Sequence, residues 1–375
     1  MKIEHFRAGV WQNQYQYKSF LPAKINHDWI WEDPMLNILL EKANRAIGEL
    51  NAFSLWVPDI DLFIKMHVVK EANTSSRIEG TKTEIDEAVL REDQIAPERR
   101  DDWREVHNYI DAMNTSIAAL STLPLSNRLL KDAHQLLMRG VRGEHKLPGE
   151  FRSSQNWIGG SSLKDAFYVP PYHTEVNDLM SDLEQFWHNE GILVPDLIRI
   201  ALSHYQFETI HPFLDGNGRI GRLLITLYLV SQGLLTKPCL YLSDFFERNR
   251  QSYYDALSVA RSQNNLLHWV KFFLTGTIET AEKSKETFQK IIALRTEAEA
   301  KIKSLGKRAK QAEILLGHFY TQPRITVKEV AQLLEISIPS AGKMVDELQK
   351  LAILEAPVGQ ERNRIFAFKQ YLDLF

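Results

Sequence analysis

The sequence predicts a mainly α-helical protein with one small β-hairpin and a winged-helix-like region near its C-terminal end. Gly and Pro together number only 32 of 375 residues, which favours helices. Apolar side chains also recur at helical spacing through most of the chain. The segments predicted to be helical are 36–51, 60–72, 73–90 in two pieces that meet at Gly80, 103–120, 127–140, 174–188, 195–210, 219–233, 243–261, 265–275 and 277–304.

Two stretches depart from this helical pattern. Residues 158–172 (IGGSSLKDAFYVPPY) join a Gly/Ser-rich turn to a short apolar stretch that ends at two prolines, which predicts a hairpin-like segment. Near the C-terminal end, a basic linker at 301–310 precedes predicted helices at 311–320, 326–335 and 338–351. Residues 355–369 then predict a strand, a turn and a strand, which completes the order of a winged helix.

These segments divide into three predicted domains. Residues 1–100 form an N-terminal helical region, 101–275 a helical core, and 276–375 a linker helix with the winged-helix-like region.

The overall composition excludes several classes of protein. The formal net charge of −3 argues against a polybasic chain that coats nucleic acid or a membrane surface. A single cysteine, Cys239, excludes an internal disulfide framework and a Cys-rich zinc site. The first residues lack the apolar core of a signal peptide, and the longest obvious apolar segment, 223–230, is too short to span a membrane. A cytoplasmic protein without a membrane partner is expected.

The most informative stretch, residues 211–222, reads HPFLDGNGRIGR and has the features of a phosphate site. Gly216 and Gly218 lead directly into a helix, whose first amides have no internal partners and lie at the positive end of the helix dipole. Arg219 and Arg222 are three residues apart, so they share roughly one helix face and can hold successive phosphates. Asn217 can donate to a phosphate oxygen.

The same stretch contains groups suited to a metal and to proton transfer. Asp215 is a hard oxygen ligand appropriate for Mg²⁺ on a di- or triphosphate. His211 titrates near neutrality, so it can take a proton from an incoming hydroxyl. A metal site that uses His204, His211 and Asp215 is an alternative, although its spacing matches no common metal motif.

These twelve residues resemble the signature of the Fic-domain family, HPFx[D/E]GN[G/K]RxxR, with every position matched. Residues 149–159 resemble the segment that precedes the family's active-site flap. Asn249 and Arg250, with Tyr253, Tyr254 and Leu257, resemble the helix that borders its nucleotide pocket. The resemblance implies a Fic catalytic core over 101–275, between an N-terminal inhibitory helix and the winged-helix-like region.

The resemblance implies that the protein is an adenylyltransferase, which transfers AMP from ATP to a Ser, Thr or Tyr hydroxyl of a protein, itself included. His211 would be the general base and Asp215 the Mg²⁺ ligand. The nucleotide-binding residues implied are Gly216, Asn217, Gly218, Arg219 at the β-phosphate, Gly221, Arg222 at the γ-phosphate, Asn249 and Tyr254. Related Doc-like kinases carry Lys near the second glycine and transfer a terminal phosphate, and Gly218 speaks against that activity here.

Two further features take their interpretation from the resemblance. The flap over 158–172 would align a target protein by pairing with its extended segment. Tyr253 and Tyr254 lie on adjacent helical positions about 100° apart, so only one is expected to face the adenine, and Tyr254 is favoured.

The residues from Ser75 to Gly80 (SSRIEG) fit the family's inhibitory pattern [S/T]xxxE[G/N]. Ser75 and Glu79 are four apart and share a helix face, and Gly80 is a plausible C-cap. Glu79 would pair with Arg222 and occupy the space of the γ-phosphate. The ordinary alternative is an exposed glutamate at a helix end. In some relatives the equivalent glutamate instead activates water and removes AMP, which is open for Glu79.

The winged-helix-like region carries a weak signal for DNA. Residues 311–375 contain seven Lys and Arg against eight Asp and Glu, a net charge of −1. Only Arg362, Arg364 and the linker look suited to phosphates, so docking of protein or support of a homodimer is favoured over DNA. The rival function is a nucleotide-sensing, DNA-binding transcription regulator whose transferase core is inactive.

Overall fold

The computed structural model describes residues 1–356 and 364–375, and α-helices dominate these ranges. The helices are α1 (Pro34–Trp56), α2 (Ile60–Ile78), α3 (Ile85–Ala88), α4 (Arg100–Ala119), α5 (Asn127–Leu137), α6 (Val176–His188), α7 (Asp196–Ile210), α8 (Asn217–Ser231), α9 (Ser243–Arg248), α10 (Arg250–Ser262), α11 (Leu266–Ile302), α12 (Ala309–Phe319), α13 (Val327–Leu334), α14 (Ile338–Lys350) and α15 (Lys369–Leu372). The strands are β1 (Gly9–Asn13), β2 (Lys18–Pro22), β3 (Arg324–Thr326) and β4 (Ile365–Ala367). None of the described helices is long and apolar enough to cross a bilayer.

Helices α7 and α8 lie at the centre of the fold, because nearly every residue of both is buried. A helix that is apolar on all sides must be covered on all sides. The long helix α11 covers one of these sides, where the indole of Trp269 donates a 2.7 Å hydrogen bond to the carbonyl of Ala201 on α7. The loop between α7 and α8 is thereby held between two rigid elements.

The structure corrects the prediction of separate helices at 265–275 and 277–304, because α11 runs without a break from Leu266 to Ile302. Gly276 does not end a helix. A Cβ placed there would lie 2.5 Å from the Phe245 ring, so this glycine allows α9 and α11 to pack closely. The predicted domain boundary at 275/276 thus falls inside one continuous helix.

The helix predicted over 243–261 is instead two helices, α9 and α10, which meet at Asn249. The backbone of Asn249 leaves the helical region with φ −114° and ψ 34°. Its side-chain amide donates a 2.9 Å hydrogen bond to the carbonyl of Phe245, which satisfies the last turn of α9.

The β structure is distributed differently from the prediction. Strands β1 and β2 form an antiparallel hairpin that the sequence analysis did not predict. The flap at 158–172 contains a single antiparallel bridge, between Ile158 and Tyr168, rather than a full strand. Pro170 and Pro171 lack the N–H groups that a longer ladder requires. The amide of Phe20 in β2 donates to the carbonyl of Val169 at 3.0 Å, so the N-terminal hairpin supports one side of the flap.

The C-terminal region follows the element order expected of a winged helix. Helix α12, β3, α13 and α14 occur in sequence, and β3 pairs with β4 in antiparallel register. Residues 357–363, which include the predicted turn of the wing and Arg362, lie outside the described residues. The winged-helix assignment therefore stays a prediction.

The C-terminal region packs on the N-terminal helices. Arg324 pairs with Asp86 of α3 at 2.9 Å, and Tyr320 packs edge-on against Phe63 of α2 at a centroid distance of 5.1 Å. These contacts join the region to the helix that ends beside the candidate site.

Candidate active site

The α7–α8 loop begins at His211, whose backbone is held in the left-handed region at φ 52° and ψ 61°. The Nε atom of Arg152 donates to the His211 carbonyl at 3.0 Å, and the amide of Asn156 donates to the same oxygen at 3.2 Å. Arg152 also donates to the carbonyl of Pro171 at 2.6 Å, which ties the flap to the loop. This unusual backbone conformation is thus fixed from outside the motif.

Asn217 closes the other end of the loop. Its side-chain oxygen accepts from the Phe213 amide at 2.8 Å, and its side-chain nitrogen donates to the Phe213 carbonyl at 2.8 Å. Both polar atoms of the side chain thus hold the backbone of the loop. The amide nitrogen carries a second hydrogen, and its donation to a phosphate oxygen stays a prediction.

His134 on α5 supports the centre of the loop, which the sequence analysis missed. Its Nδ1 accepts from the Gly149 amide at 2.9 Å, so Nε2 carries the hydrogen and donates to the Asp215 carbonyl at 3.0 Å. The ring also stacks on Phe213 with a centroid distance of 3.9 Å. Its place in the chain, 81 residues before Asp215, offers no local pattern that could have revealed this contact.

A cavity of about 490 Å³ lies above the loop, between the flap, α7, α8 and α10. Eight of the predicted site residues line it: Glu79, His211, Asp215, Gly216, Asn217, Gly218, Arg222 and Tyr254. The other four, Ser75, Arg219, Gly221 and Asn249, are described residues that do not line the cavity. Helix α8 begins at the floor of the cavity, so its first amides, from Asn217 to Arg219, form an anion-binding end.

Arg222 is the buried cation of this cavity, with a side chain only 2% exposed. Its Nη2 donates to the Glu79 carboxylate at 2.7 Å and to the Ser75 carbonyl at 2.9 Å, and its Nε donates to the Ser75 hydroxyl at 2.8 Å. Ser75 and Glu79 thus act on one guanidinium, as their spacing predicted. Burial opposes ionisation of Glu79, but the charge of Arg222 outweighs it and holds the pKa of Glu79 below its ordinary value.

Arg219 lies on a different side of α8 from the cavity. Its Nη1 donates to the Glu105 carboxylate of α4 at 3.2 Å, and both side chains are buried. Glu105 also forms a salt bridge with Arg142, at 2.9 Å. The expected contact of the Arg219 side chain with a β-phosphate therefore has no support in this arrangement, because its charge is already paired.

Gly221 and His204 form part of the packing behind the cavity. A Cβ placed on Gly221 would lie 2.2 Å from the Glu208 carboxylate, so glycine is required to make room for that side chain. The Nδ1 of His204 lies 2.9 Å from the Gly221 carbonyl and its Nε2 lies 2.9 Å from the Tyr253 hydroxyl. Both ring nitrogens are engaged, so His204 offers no free metal ligand.

Both tyrosines of α10 line the cavity, but they differ in exposure. Tyr253 is 1% exposed and stacks on Phe246, whereas Tyr254 is 41% exposed at the mouth of the cavity. Asn249 stays at the junction of α9 and α10, away from the cavity. The contact of Tyr254 with adenine remains a prediction.

His211 is neutral at pH 7. Burial and the positive charge of Arg152 lower the pKa of His211 to about 4, although Glu79 partly opposes them. A neutral imidazole is the form that can accept a proton.

Asp215 is the candidate metal ligand. One of its oxygens accepts from the Gly216 amide at 2.7 Å and the other lies 3.0 Å from the Lys146 ammonium. Burial opposes ionisation, but Lys146 outweighs it and keeps the pKa of Asp215 below its ordinary value. No group of three or more His, Cys, Asp or Glu among the described residues is arranged so that it could hold a metal ion. A single carboxylate fits Mg²⁺ that is held mainly by substrate phosphates and water, and it does not fit an all-protein metal cage.

Two family models match adjoining parts of the chain. The model of the Fic/DOC family N-terminal region matches residues 38–118, and the Fic/DOC family model matches residues 124–229. The chain is 33% identical over 135 residues to the protein adenylyltransferase Fic of Aedes aegypti and 31% identical over 135 residues to that of Drosophila erecta. Each match covers 36% of this chain and 24% of the relative, so the chain spans about a quarter of the length of these relatives.

Solved structures show the same fold. A Fic family protein from Desulfovibrio desulfuricans G20 has a TM-score of 0.57 at 21% identity, over 90% of this chain and 96% of that one. Fic-1 from C. elegans has a TM-score of 0.51 at 20% identity, over 70% of this chain and 75% of that one. The shared fold agrees with the two adjoining family matches and with the complete motif at residues 211–222. The chain therefore belongs to the Fic/DOC family.

Proposed function

We propose that this protein is a protein adenylyltransferase that transfers AMP from ATP to a protein hydroxyl, its own chain included. The observation that carries the proposal is that a neutral His211 and the amide-lined start of α8, with Arg222 one turn further on, face one cavity. Such a cavity can hold a polyphosphate beside a base. The names of the relatives from Aedes aegypti and Drosophila erecta support the same reaction.

The reaction needs one proton acceptor and a stabilised leaving group. The target hydroxyl oxygen attacks the α-phosphorus of ATP, and its proton passes to Nε2 of His211. The bond between the α-phosphorus and the bridging oxygen breaks, and pyrophosphate leaves with the displaced electron pair. The α8 amides and Arg222 stabilise the negative charge of the phosphates, so positioning and electrostatics supply most of the catalysis.

Burial and the Arg152 charge keep the pKa of His211 low, at about 4. Several negative charges placed on the α8 amides would raise the pKa of His211 and make it a stronger base. The unusual backbone that Arg152 and Asn156 impose keeps the ring at the mouth of the cavity while this happens.

Asp215 is the residue that would hold Mg²⁺, together with phosphate oxygens of the substrate. Mg²⁺ would neutralise phosphate charge and support departure of pyrophosphate. Lys146 now pairs with the Asp215 carboxylate, so it must give up that contact for Asp215 to serve as a ligand.

We further propose that Glu79 inhibits the transferase. Its carboxylate holds Arg222 and lies over the first turn of α8, where a Cβ on Gly218 would be 2.2 Å from Oε1. A terminal phosphate needs the same guanidinium and the same space. Removal of AMP from a target through water activated by Glu79 is a second outcome for the same carboxylate.

The remaining parts of the proposal concern the substrates. The flap at 158–172 would receive an extended segment of the target protein through main-chain hydrogen bonds, and Tyr254 would contact the adenine. We also expect the C-terminal region to support a homodimer or to bind DNA. DNA is the less favoured partner, because residues 311–375 have a net charge of −1.

The test incubates purified protein with Mg²⁺ and ATP labelled at the α-phosphate, using wild type, Glu79→Gly, Glu79→Gln and the double variant Glu79→Gly/His211→Ala. We expect weak labelling of the wild type, strong labelling of Glu79→Gly, an intermediate result for Glu79→Gln and none for the double variant. ATP labelled at the γ-phosphate is the control, because label from it would indicate phosphate transfer instead.

Label in the double variant at the rate of Glu79→Gly would overturn the role of His211. No label in any variant, together with salt-sensitive binding to duplex DNA, would favour the regulator over the transferase.

A further inference from the structure

Glu208 is a buried carboxylate of the cavity for which the sequence analysis offered no role. It lies in the last turn of α7, three residues before His211, and its side chain is 11% exposed. Its Oε1 packs against Gly221, at which any Cβ would come within 2.2 Å. Gly221, the last glycine of the motif, thus makes room for the Glu208 side chain.

The carboxylate of Glu208 and the ring of His211 lie close together, and each group has one buried polar atom without a partner among the described residues. The Oε2 of Glu208 lies 4.0 Å from Nδ1 of His211, which is longer than a hydrogen bond. Within the described parts of the chain, neither Nδ1 of His211 nor Oε1 of Glu208 has a hydrogen-bond partner. Buried polar atoms without partners are unfavourable, so a small rotation of the carboxylate that joins the two groups would be stabilising.

We propose that Glu208 is the positioning residue of His211, accepting a hydrogen bond from Nδ1–H so that Nε2 faces the target hydroxyl unprotonated. This inference rests on the proposed transfer of AMP. During the transfer the hydroxyl proton moves to Nε2, while the hydrogen on Nδ1 stays bound there and is shared with Glu208. The carboxylate then stabilises the imidazolium that forms, as a buried acid does behind a catalytic histidine.

The position of Glu79 connects this role to inhibition. The charge of Arg222 acts on both Glu79 and Glu208, and of these two carboxylates Glu79 is the one that accepts a hydrogen bond from it among the described residues. Burial raises the pKa of Glu208 to about 7, Arg222 opposes this shift and the nearby charge of Glu79 adds to it. Withdrawal of Glu79 would therefore leave Arg222 to favour the ionised form of Glu208, which is the better acceptor for Nδ1–H.

The first test reads the tautomer of His211 and needs no transfer of AMP. Protein with ¹⁵N-labelled histidine is studied by NMR at pH 7 in the Glu79→Gly background, with and without Glu208→Leu. We expect His211 to carry its hydrogen on Nδ1 in the parent and on Nε2 in Glu208→Leu. Glu71→Gln is the matched control, since Glu71 is another buried carboxyl with an unpartnered oxygen, and it should leave the tautomer unchanged. Retention of Nδ1–H in Glu208→Leu would overturn the proposal.

The second test measures AMP transfer in the same background. Glu208→Leu should lower kcat about 100-fold, and Glu208→Gln, which keeps an acceptor without the charge, should lower it about 10-fold. The KM for ATP should change less than about twofold, because the positioning acts on His211 and not on the phosphates. A rise in KM with unchanged kcat would assign Glu208 to nucleotide binding and overturn the proposal.

The pH profile separates positioning from a structural role. The charged groups that face His211 are Arg152, Glu79, Asp215 and Glu208. Removing the Glu208 charge destabilises the imidazolium, so the acidic limb of kcat against pH should move to lower pH in Glu208→Gln. A lower kcat with an unmoved limb would mean a structural role and would also overturn the proposal. If the Glu79→Gly parent transfers no AMP while the tautomer still depends on Glu208, the proposed function fails and the positioning contact stands.

Discussion

The guanidinium of Arg222 and the carboxylate of Glu79 meet at 2.7 Å although 143 residues separate them in the chain. The contact joins the end of α2 to the first turns of α8, directly over the anion-binding amides. It is reinforced by Ser75, which accepts two further hydrogen bonds from the same side chain. Three hydrogen bonds to one buried cation make this junction the natural target for tests of regulation.

Replacing Ser75 by Ala should partly relieve inhibition. The change removes the hydroxyl that accepts from Nε of Arg222, and a hydrogen bond to a charged group contributes about 1.5–3 kcal/mol. Because the Ser75 carbonyl and Glu79 remain, labelling by α-labelled ATP should rise by less than in Glu79→Gly, roughly tenfold. Ser76→Ala is the matched control, because the Ser76 hydroxyl is buried without a described partner. Equal labelling of the two serine variants would contradict the role given to Ser75.

Thermal stability should reveal competition between Glu79 and ATP without any chemistry. In Glu79→Gly/His211→Ala, which should not turn over, ATP with Mg²⁺ can reach Arg222 freely. Nucleotide at a hundred times its Kd stabilises a protein by about 2.7 kcal/mol, which raises Tm by several degrees. The same nucleotide concentration should raise the Tm of His211→Ala alone by much less. Similar shifts in both proteins would show that Glu79 does not hinder nucleotide binding.

The unfolding free energy should fall as pH drops below about 6.5. Burial lowers the pKa of six histidines, so the unfolded state binds protons that the folded state does not. The pKa falls to about 3 in His67 and His204 and to about 4 in His134 and His211, and it is also lowered in His107 and His318. Glu71 and Glu208, with pKa values raised to about 7, act in the opposite direction between about pH 4.5 and 7. The four histidines with the largest shifts and these two glutamates together give a net slope of about two protons, or roughly 2–3 kcal/mol per pH unit.

His67→Phe isolates one of these histidines. The His67 ring stacks on Phe288 at a centroid distance of 4.4 Å and its Nδ1 has no described partner, so an aromatic ring without nitrogens suits the site. Urea unfolding of the wild type and His67→Phe at pH 5 and pH 7 should show a slope smaller by about one proton in the variant. An unchanged slope would mean that His67 takes up its proton in the folded state.

Arg219 should prove to be a stability residue. Its side chain is 5% exposed and pairs with the 9% exposed Glu105, and removing one partner of a buried pair costs about 3–5 kcal/mol. Arg219→Met should fall near the lower end of that range, because Arg142 still neutralises Glu105. Arg142→Met is the control, expected to cost less than about 1 kcal/mol since Arg142 is 63% exposed.

A double-mutant cycle over Arg219→Met and Glu105→Gln completes this test. The two changes share a contact, so their effects on the unfolding free energy should not add, with a coupling of about 0.5–3 kcal/mol. Additive effects, with a large rise in the KM for ATP in Arg219→Met, would restore the β-phosphate contact that the sequence predicted.

The helices and the motif could be predicted from the sequence because each depends on residues that are close together in the chain. The floor of the cavity follows from Gly216 and Gly218 ahead of an apolar helix, and the pairing of Ser75 and Glu79 on one face follows from their spacing of four. The sequence analysis predicted one helix where α9 and α10 meet at Asn249, and two helices where α11 continues through Gly276. At Asn249 the side chain of that residue itself donates to the Phe245 carbonyl, whereas Gly276 is a glycine because the Phe245 ring packs against it.

The sequence alone shows the helical class, the family motif and the groups suited to a nucleotide: a histidine, an acid, glycines and an arginine. The three-dimensional structure is needed to assign a separate task to each of these groups. It turned Asn217 back onto its own loop, paired Arg219 with Glu105, and brought His134, Arg152 and Glu208 to the site. The contacts of Arg219, His134 and Arg152 depend on partners 59 to 114 residues away in the chain, and packing settles these pairings over separations that no local pattern encodes.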